Sequence, residues 1–277
     1  MIEQEGYLEP PDEPMPLELE ETEVASPPLP GLVAVAPSED EIIDQVAADL
    51  VLHAENCVRQ FGDFHLALSG GETFERLYQR LMYDPNYRRL PWRRTHLWFV
   101  EERCLSFSDE QSNYRQISET IGDHSDIPRE QFHPIFPEAA TADRDYEQQI
   151  RETLGWREKG QDRLDYVLLT VEEDGRTAGL FPGSTLLNDA RRLVCHSVSP
   201  EGTRDDRVSM TLPFINAARF VAVLVTGPEK ADAVQRLASM GESTEALPAK
   251  GLAPLNGELK WYLDAPACGL DSDAQRA

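Results

Sequence analysis

The residues of this chain best suited to chemistry lie where apolar runs end in polar turns. Residues 165–171, Asp-Tyr-Val-Leu-Leu-Thr-Val, read as a buried strand running into Glu172-Glu173-Asp174-Gly175-Arg176-Thr177, the kind of turn on which α/β enzymes carry reactive groups. A carboxylate there, such as Glu172 or Glu173, or Glu101 from an earlier segment, can take a proton from water if desolvation raises its pKa. Arg176 cannot, because a guanidinium stays protonated; it can grip an anion or stabilise a developing oxyanion. The candidate catalytic set is therefore Glu172, Asp174 and Arg176, and a plain salt bridge from Arg176 to Asp174 or Glu172 is the structural alternative.

Other strand ends carry anion-binding chemistry. Leu66-Ala67-Leu68-Ser69-Gly70-Gly71-Glu72-Thr73 reads as a strand, a Gly-Gly turn and the start of a helix, where backbone N–H groups and the helix dipole attract phosphate. A tight turn also needs glycine for conformational reasons alone. Trp98-Phe99-Val100-Glu101-Glu102-Arg103 ends in a guanidinium able to clamp a phosphate bidentately, or in an ordinary salt-bridged strand end. Arg207, at the start of a strand, and Lys230, just past Thr226-Gly227, are further anion ligands or surface charges. The substrate-binding candidates are Ser69, Gly70, Gly71, Arg103, Arg207 and Lys230. Their shared position at the carboxyl ends of successive strands, where open α/β sheets bind ligands, argues for one site.

The elements that must position these groups alternate. Strands are expected at 32–36, 65–68, 95–100, 165–171, 207–211 and 219–226, with a last apolar run at 259–263 that closes the sheet. Helices are expected at 39–61, 72–82, 113–121, 142–154 and 229–240. This order predicts an α/β fold, a mostly parallel doubly wound sheet with helices on both faces. Residues 1–31, acidic and Pro-rich without Lys or Arg, are expected to form a disordered tail. One domain should span 32–270, followed by a short tail at 271–277.

Composition narrows the function. Lys and Arg number 26 against 50 Asp and Glu, a formal charge of −24, which disfavours nucleic acid and anionic membranes as partners; a small anionic ligand needs a local basic pocket. No run approaches a membrane span, and no basic leader opens the chain. Four dispersed cysteines, Cys57, Cys104, Cys195 and Cys268, argue against disulfides and zinc, and for a reducing cytoplasm. The six histidines show no metal-ligand spacing, so a dedicated transition-metal site is not expected.

The signature at 165–184 resembles that of the 6-phosphogluconolactonases, Gly-x-Gly-x-Asp-Gly-His-Thr-Ala-Ser-Leu-Phe-Pro-Gly, with Arg176 at the histidine position and Thr170-Val171-Glu172 in place of Gly-x-Gly. Leu68–Thr73 is similar to the family's Leu-Ser-Gly-Gly-Ser-Thr, and Glu101-Glu102-Arg103 with Ser112-Asn113-Tyr114 to its Asp-Glu-Arg and Ser-Asn-Tyr. The segments around Arg207–Pro213, Leu224–Ala231 and 247–264 also resemble it. The resemblance covers roughly residues 35–268 and implies the sugar-phosphate isomerase/deaminase-like fold. It implies hydrolysis of 6-phosphogluconolactone to 6-phosphogluconate, in the pentose phosphate pathway, without metal or cofactor. It places the phosphate and hydroxyls on Ser69, Gly70, Gly71, Arg103, Arg207 and Lys230. Leu180-Phe181-Pro182-Gly183 favours the lactonase branch over the deaminases. With the family's histidine base replaced, the alternatives are a weak or inactive sugar-phosphate-binding regulator, or an isomerase or deaminase acting on another phosphosugar.

Overall fold

Runs of Val, Leu, Ile and Phe too apolar for a half-exposed strand demand cover on two sides, and the chain supplies it. The structure, a computed structural model, describes residues 26–200 and 205–270. Its elements are β1 (Leu32–Ala36), α1 (Glu39–Phe61), β2 (Phe64–Leu68), α2 (Glu72–Tyr83), β3 (Thr95–Phe99), β4 (Glu101–Arg103), α3 (Asn113–Ile117), β5 (Phe132–His133), α4 (Ala142–Leu154) and β6 (Tyr166–Leu169). They continue with β7 (Val194–Ser197), β8 (Arg207–Met210), α5 (Leu212–Ile215), β9 (Phe220–Val225), α6 (Ala231–Ala238) and β10 (Glu258–Asp264).

Seven strands form one sheet in the order β1-β10-β9-β6-β2-β3-β5, every neighbouring pair parallel. All residues of β2, β6 and β9 are buried, as a parallel sheet covered on both faces requires. This is the α/β architecture expected from the alternation. At the amino edge the buried Asp165 carboxylate accepts from His65 N, Arg157 and Arg219 at 2.8–3.0 Å, so that two guanidinia compensate a charge otherwise costly to bury.

Several expectations are revised. The run at 259–263 lies inside the sheet, between β1 and β9, and β1 forms the edge. The strand expected at 95–100 ends at Phe99; Glu101–Arg103 and Arg207–Met210 leave the parallel sheet and join β7 in a separate antiparallel sheet, order β4-β8-β7. The helix expected at 113–121 is α-helical only to Ile117 and continues as a π turn over Ser118–Gly122. The helix expected from 229 starts as a 3-10 turn at Pro228–Lys230 and ends at Ala238. Most of the acidic tail, and all of 271–277, lie outside the described residues. Leu29 is buried, and Trp261 Nε1 donates to Pro30 O at 2.7 Å, so the residues just before β1 pack against the fold.

Candidate functional site

The turn after β6 is built by its own backbone. Gly175 N donates to Glu172 O at 2.8 Å, Glu172 N to Arg176 O at 3.0 Å, and Arg176 N to Asp174 Oδ1 at 3.0 Å. Gly175 has φ +83°, and a Cβ there would lie 1.9 Å from Leu247 Cδ1, so only glycine fits. Thr177 Oγ1 donates to Thr170 O at 2.9 Å, and Ala249 N to Gly175 O at 3.1 Å. The turn is thereby pinned from both sides.

A cleft of about 980 Å³ opens beside it, lined among others by Gly70, Gly71, Arg103, Thr170, Glu172, Arg176, Gly227 and Lys230. A smaller cavity of about 590 Å³, lined by Arg103, Asp174, Arg176, Phe181 and Asp205 among others, shares Arg103 and Arg176 with it. The carboxyl ends of β2, β6 and β9 thus bring most of the expected residues together. Four cationic side chains line the larger cleft against nine acidic ones, so an anion has to be met by local groups, against the average field.

Those groups are specific. Lys230 Nζ donates to Glu172 Oε2 at 2.6 Å. Arg103 Nη1 donates to Gln111 O at 2.7 Å and Asn113 Oδ1 at 3.1 Å. The Arg103 backbone is held in turn by Glu102, whose fully buried carboxylate accepts from the N–H groups of Arg103, Asn113 and Tyr114; burial raises the pKa of Glu102. Arg176 Nη1 stands 3.5 Å from Asp205 Oδ2 and 3.9 Å from Asp174 Oδ2, with its guanidinium 5.1 Å from the Phe181 ring centroid. The salt bridge expected to Asp174 is therefore loose, none forms to Glu172, and the nearer anion is Asp205. Burial pushes the pKa of Glu172 upward, but the hydrogen bond and charge of Lys230, with Arg176 and Arg207 nearby, leave it below the usual carboxylate range. Such a carboxylate is a poor proton acceptor.

Two expected ligands sit differently. The Ser69 hydroxyl donates to Leu168 O at 2.9 Å and does not line the cleft. Arg207 is buried behind it, bonded to Glu101 Oε2 at 2.7 Å and to both oxygens of Asp205. The Gly71 N–H donates to Gln116 Oε1 at 2.8 Å, which leaves the uncapped start of α2 to act through its dipole. Sequence reasoning passed over Asp205, which meets Arg176 across 29 residues, and Gln116, which meets Gly71 across 45; the Asp205-Asp206-Arg207 run, with Arg207 bonded to Asp205, was the available signal for the first. Thr170 Oγ1 and Arg176 Nε are buried without a partner among the described residues, groups that a ligand would satisfy.

Away from the cleft, Asp63, His65 and His96 present ligand atoms within 4.8 Å of one another. Trp98 Nε1 donates to His65 Nδ1 at 3.1 Å, and because an indole N–H can only donate, a neutral His65 keeps its proton on Nε2, the atom 3.6 Å from Asp63 Oδ2. Asp63 is already paired with Arg157. With its Nδ1 taken by Trp98 and its proton on Nε2, His65 offers a metal no free imidazole electron pair.

The family described as glucosamine-6-phosphate isomerases/6-phosphogluconolactonase matches residues 37–261. A 6-phosphogluconolactonase of Nostoc is 32% identical over 241 residues, 85% of this chain and 96% of that protein. The human GDH/6PGL endoplasmic bifunctional protein is 36% identical over 231 residues, 82% of this chain but only 29% of the relative's length. The solved 6-phosphogluconolactonase of Trypanosoma cruzi shares the fold at a TM-score of 0.75 and 24% identity, over 88% of this chain and 98% of that one. Among the described residues no helix is long and apolar enough to cross a membrane.

Proposed function

We propose, since this chain belongs to the family of glucosamine-6-phosphate isomerases and 6-phosphogluconolactonases, that it binds 6-phosphogluconolactone in the large cleft and hydrolyses it slowly. The observation that carries this reading is the meeting of Arg103, Arg176, Lys230 and the Gly70-Gly71 turn around one cleft that no histidine lines. The cations and the start of α2 hold the phosphate end. Water adds to the lactone carbonyl, the ring C–O bond breaks, and a carboxylate and a hydroxyl result. Arg176 can stabilise the oxyanion formed on the way; it cannot take the proton from water.

Two of the carboxylates first considered as bases are committed, Glu172 to Lys230 and Glu101 to Arg207, so the proton leaves with little help from either. A general base contributes about 10²- to 10⁴-fold, and the rate should fall short of an imidazole-equipped lactonase by that order. A cytoplasmic location is part of the proposal, supported by the four free cysteines, and the charge of −24 supports a small-molecule ligand over nucleic acid. The test is 6-phosphogluconate formation followed by coupled absorbance at low temperature; no rate above spontaneous opening, even at high protein concentration, would sink the hydrolytic reading. The second reading, binding without turnover, is favoured by the Glu172–Lys230 pair and would then be left standing by a thermal shift with 6-phosphogluconate.

A further inference from the structure

Lys230 and Glu172 differ in freedom. The lysine side chain is 8% exposed and the glutamate 40%, so the ammonium is fixed in the wall of the cleft while the carboxylate reaches it from the solvent side. The Glu172 backbone is locked in the turn through Gly175 N and Arg176 O, so only its side chain can leave. Position 172 is also one where the resembling signature carries glycine, with no side chain to compete for anything. The other cations of the site have partners of their own: Arg207 holds Glu101 and Asp205, and Arg176 faces Asp205. Lys230 is the one governed by Glu172.

We propose that Glu172 is a built-in competitor for the ligand's phosphate: its carboxylate occupies Lys230 in the resting cleft, and a phosphorylated sugar binds by displacing it. The proposal rests on the phosphosugar reading above. A phosphate monoester carries close to two negative charges at neutral pH against one for a carboxylate, so it wins the ammonium, and the displaced Glu172 turns into solvent it already half occupies. A tethered competitor acts at an effective concentration of about millimolar or higher, which weakens any ligand that must replace it. The device therefore discriminates by charge: a sugar acid with only a carboxylate cannot dislodge Glu172, whereas a phosphorylated one can. Residue 172 sets both the affinity and the demand for phosphate.

Titration calorimetry with 6-phosphogluconate and with gluconate, on the full chain and on Glu172→Gln and Glu172→Gly, tests this. Both variants should bind 6-phosphogluconate about tenfold tighter or more, should begin to accept gluconate, and should lose the gain when Lys230→Ala is added. Equal or weaker 6-phosphogluconate binding in both variants overturns the proposal and leaves the phosphosugar reading intact. No binding by any of the proteins overturns that reading and the proposal with it.

Discussion

Arg207 and Glu101 meet inside the small sheet with Nη1 2.7 Å from Oε2, and neither side chain is more than 8% exposed. The pair explains why a carboxylate at a strand end beside the cleft is no base: its charge is committed to holding β4 on β8. Burial alone would ease deprotonation of Arg207, yet the charges of Glu101 and Asp205 raise its pKa. Removing one partner of a buried pair leaves an uncompensated charge. Glu101→Ala should lower stability by about 3 kcal/mol in chemical denaturation, since Asp205 still meets part of the charge. A loss below about 0.5 kcal/mol, the size of an ordinary surface substitution, would refute the structural role.

Arg176→His places an imidazole on a turn whose backbone is already fixed. Lactone hydrolysis by the variant should exceed that of the parent by tenfold or more and climb as pH rises through about 6.5, where the ring loses its proton. An unchanged or lower rate would show that the missing base does not limit turnover.

Arg103 reaches the cleft with its orientation set by Gln111 O and Asn113 Oδ1. Arg103→Ala should abolish the rise in melting temperature given by 6-phosphogluconate, and Arg103→Lys should restore only part of it, because one ammonium cannot reproduce a planar fork. A full shift in the alanine variant would remove Arg103 from the site.

The histidines at the amino edge make stability depend on pH. His65, His96 and His133 stack at interplanar angles of 7–8°. Gln149 Nε2 donates to His133 Nδ1, which leaves the Nε2–H of His133 to donate to His96 Nδ1 at 3.0 Å. Burial, and then the repulsion of neighbouring rings, pushes the pKa of His96 down to about 4 and that of His133 to about 3. These folded values lie below the unfolded one near 6.5, so the unfolded chain binds the extra protons. Their contribution is complete above pH 6.5 and shrinks as pH falls toward the folded values. Melting temperature should therefore drop between pH 6.5 and 5, before most carboxylates titrate, and His133→Gln should flatten the slope. An equally steep decline in that variant would place the effect elsewhere.

What was legible in the sequence follows the range of the interactions. The hydrophobic runs of β2, β6 and β9 announce a buried parallel sheet because burial on both faces excludes polar residues from them. The place of β10 between β1 and β9 was not readable, since chain order does not give spatial order. The small sheet escaped because β7, Val-Cys-His-Ser, is short and carries an exposed His196. At the site, residue type identified Lys230, Arg103 and Arg176 as cations at the right strand ends, and the cleft gathers them. Type could not tell that the Ser69 hydroxyl would be engaged by Leu168 and Arg207 by Glu101, because those partners come from distant segments, although Asp205, which also holds Arg207, lies only two residues away.

Leu247 packing against Gly175 and Ala249 bonding to its carbonyl hold the signature turn from a segment some 70 residues downstream. The shape of the turn thus does not depend on which side chain stands at 176. Histidine and arginine codons differ by a single base, CAU to CGU or CAC to CGC. A lineage carrying this scaffold can therefore lose the imidazole in one mutational step, and regain it in one where the arginine is read from CGU or CGC, so selection on the rate of lactone opening can act on position 176 with little demand on the fold.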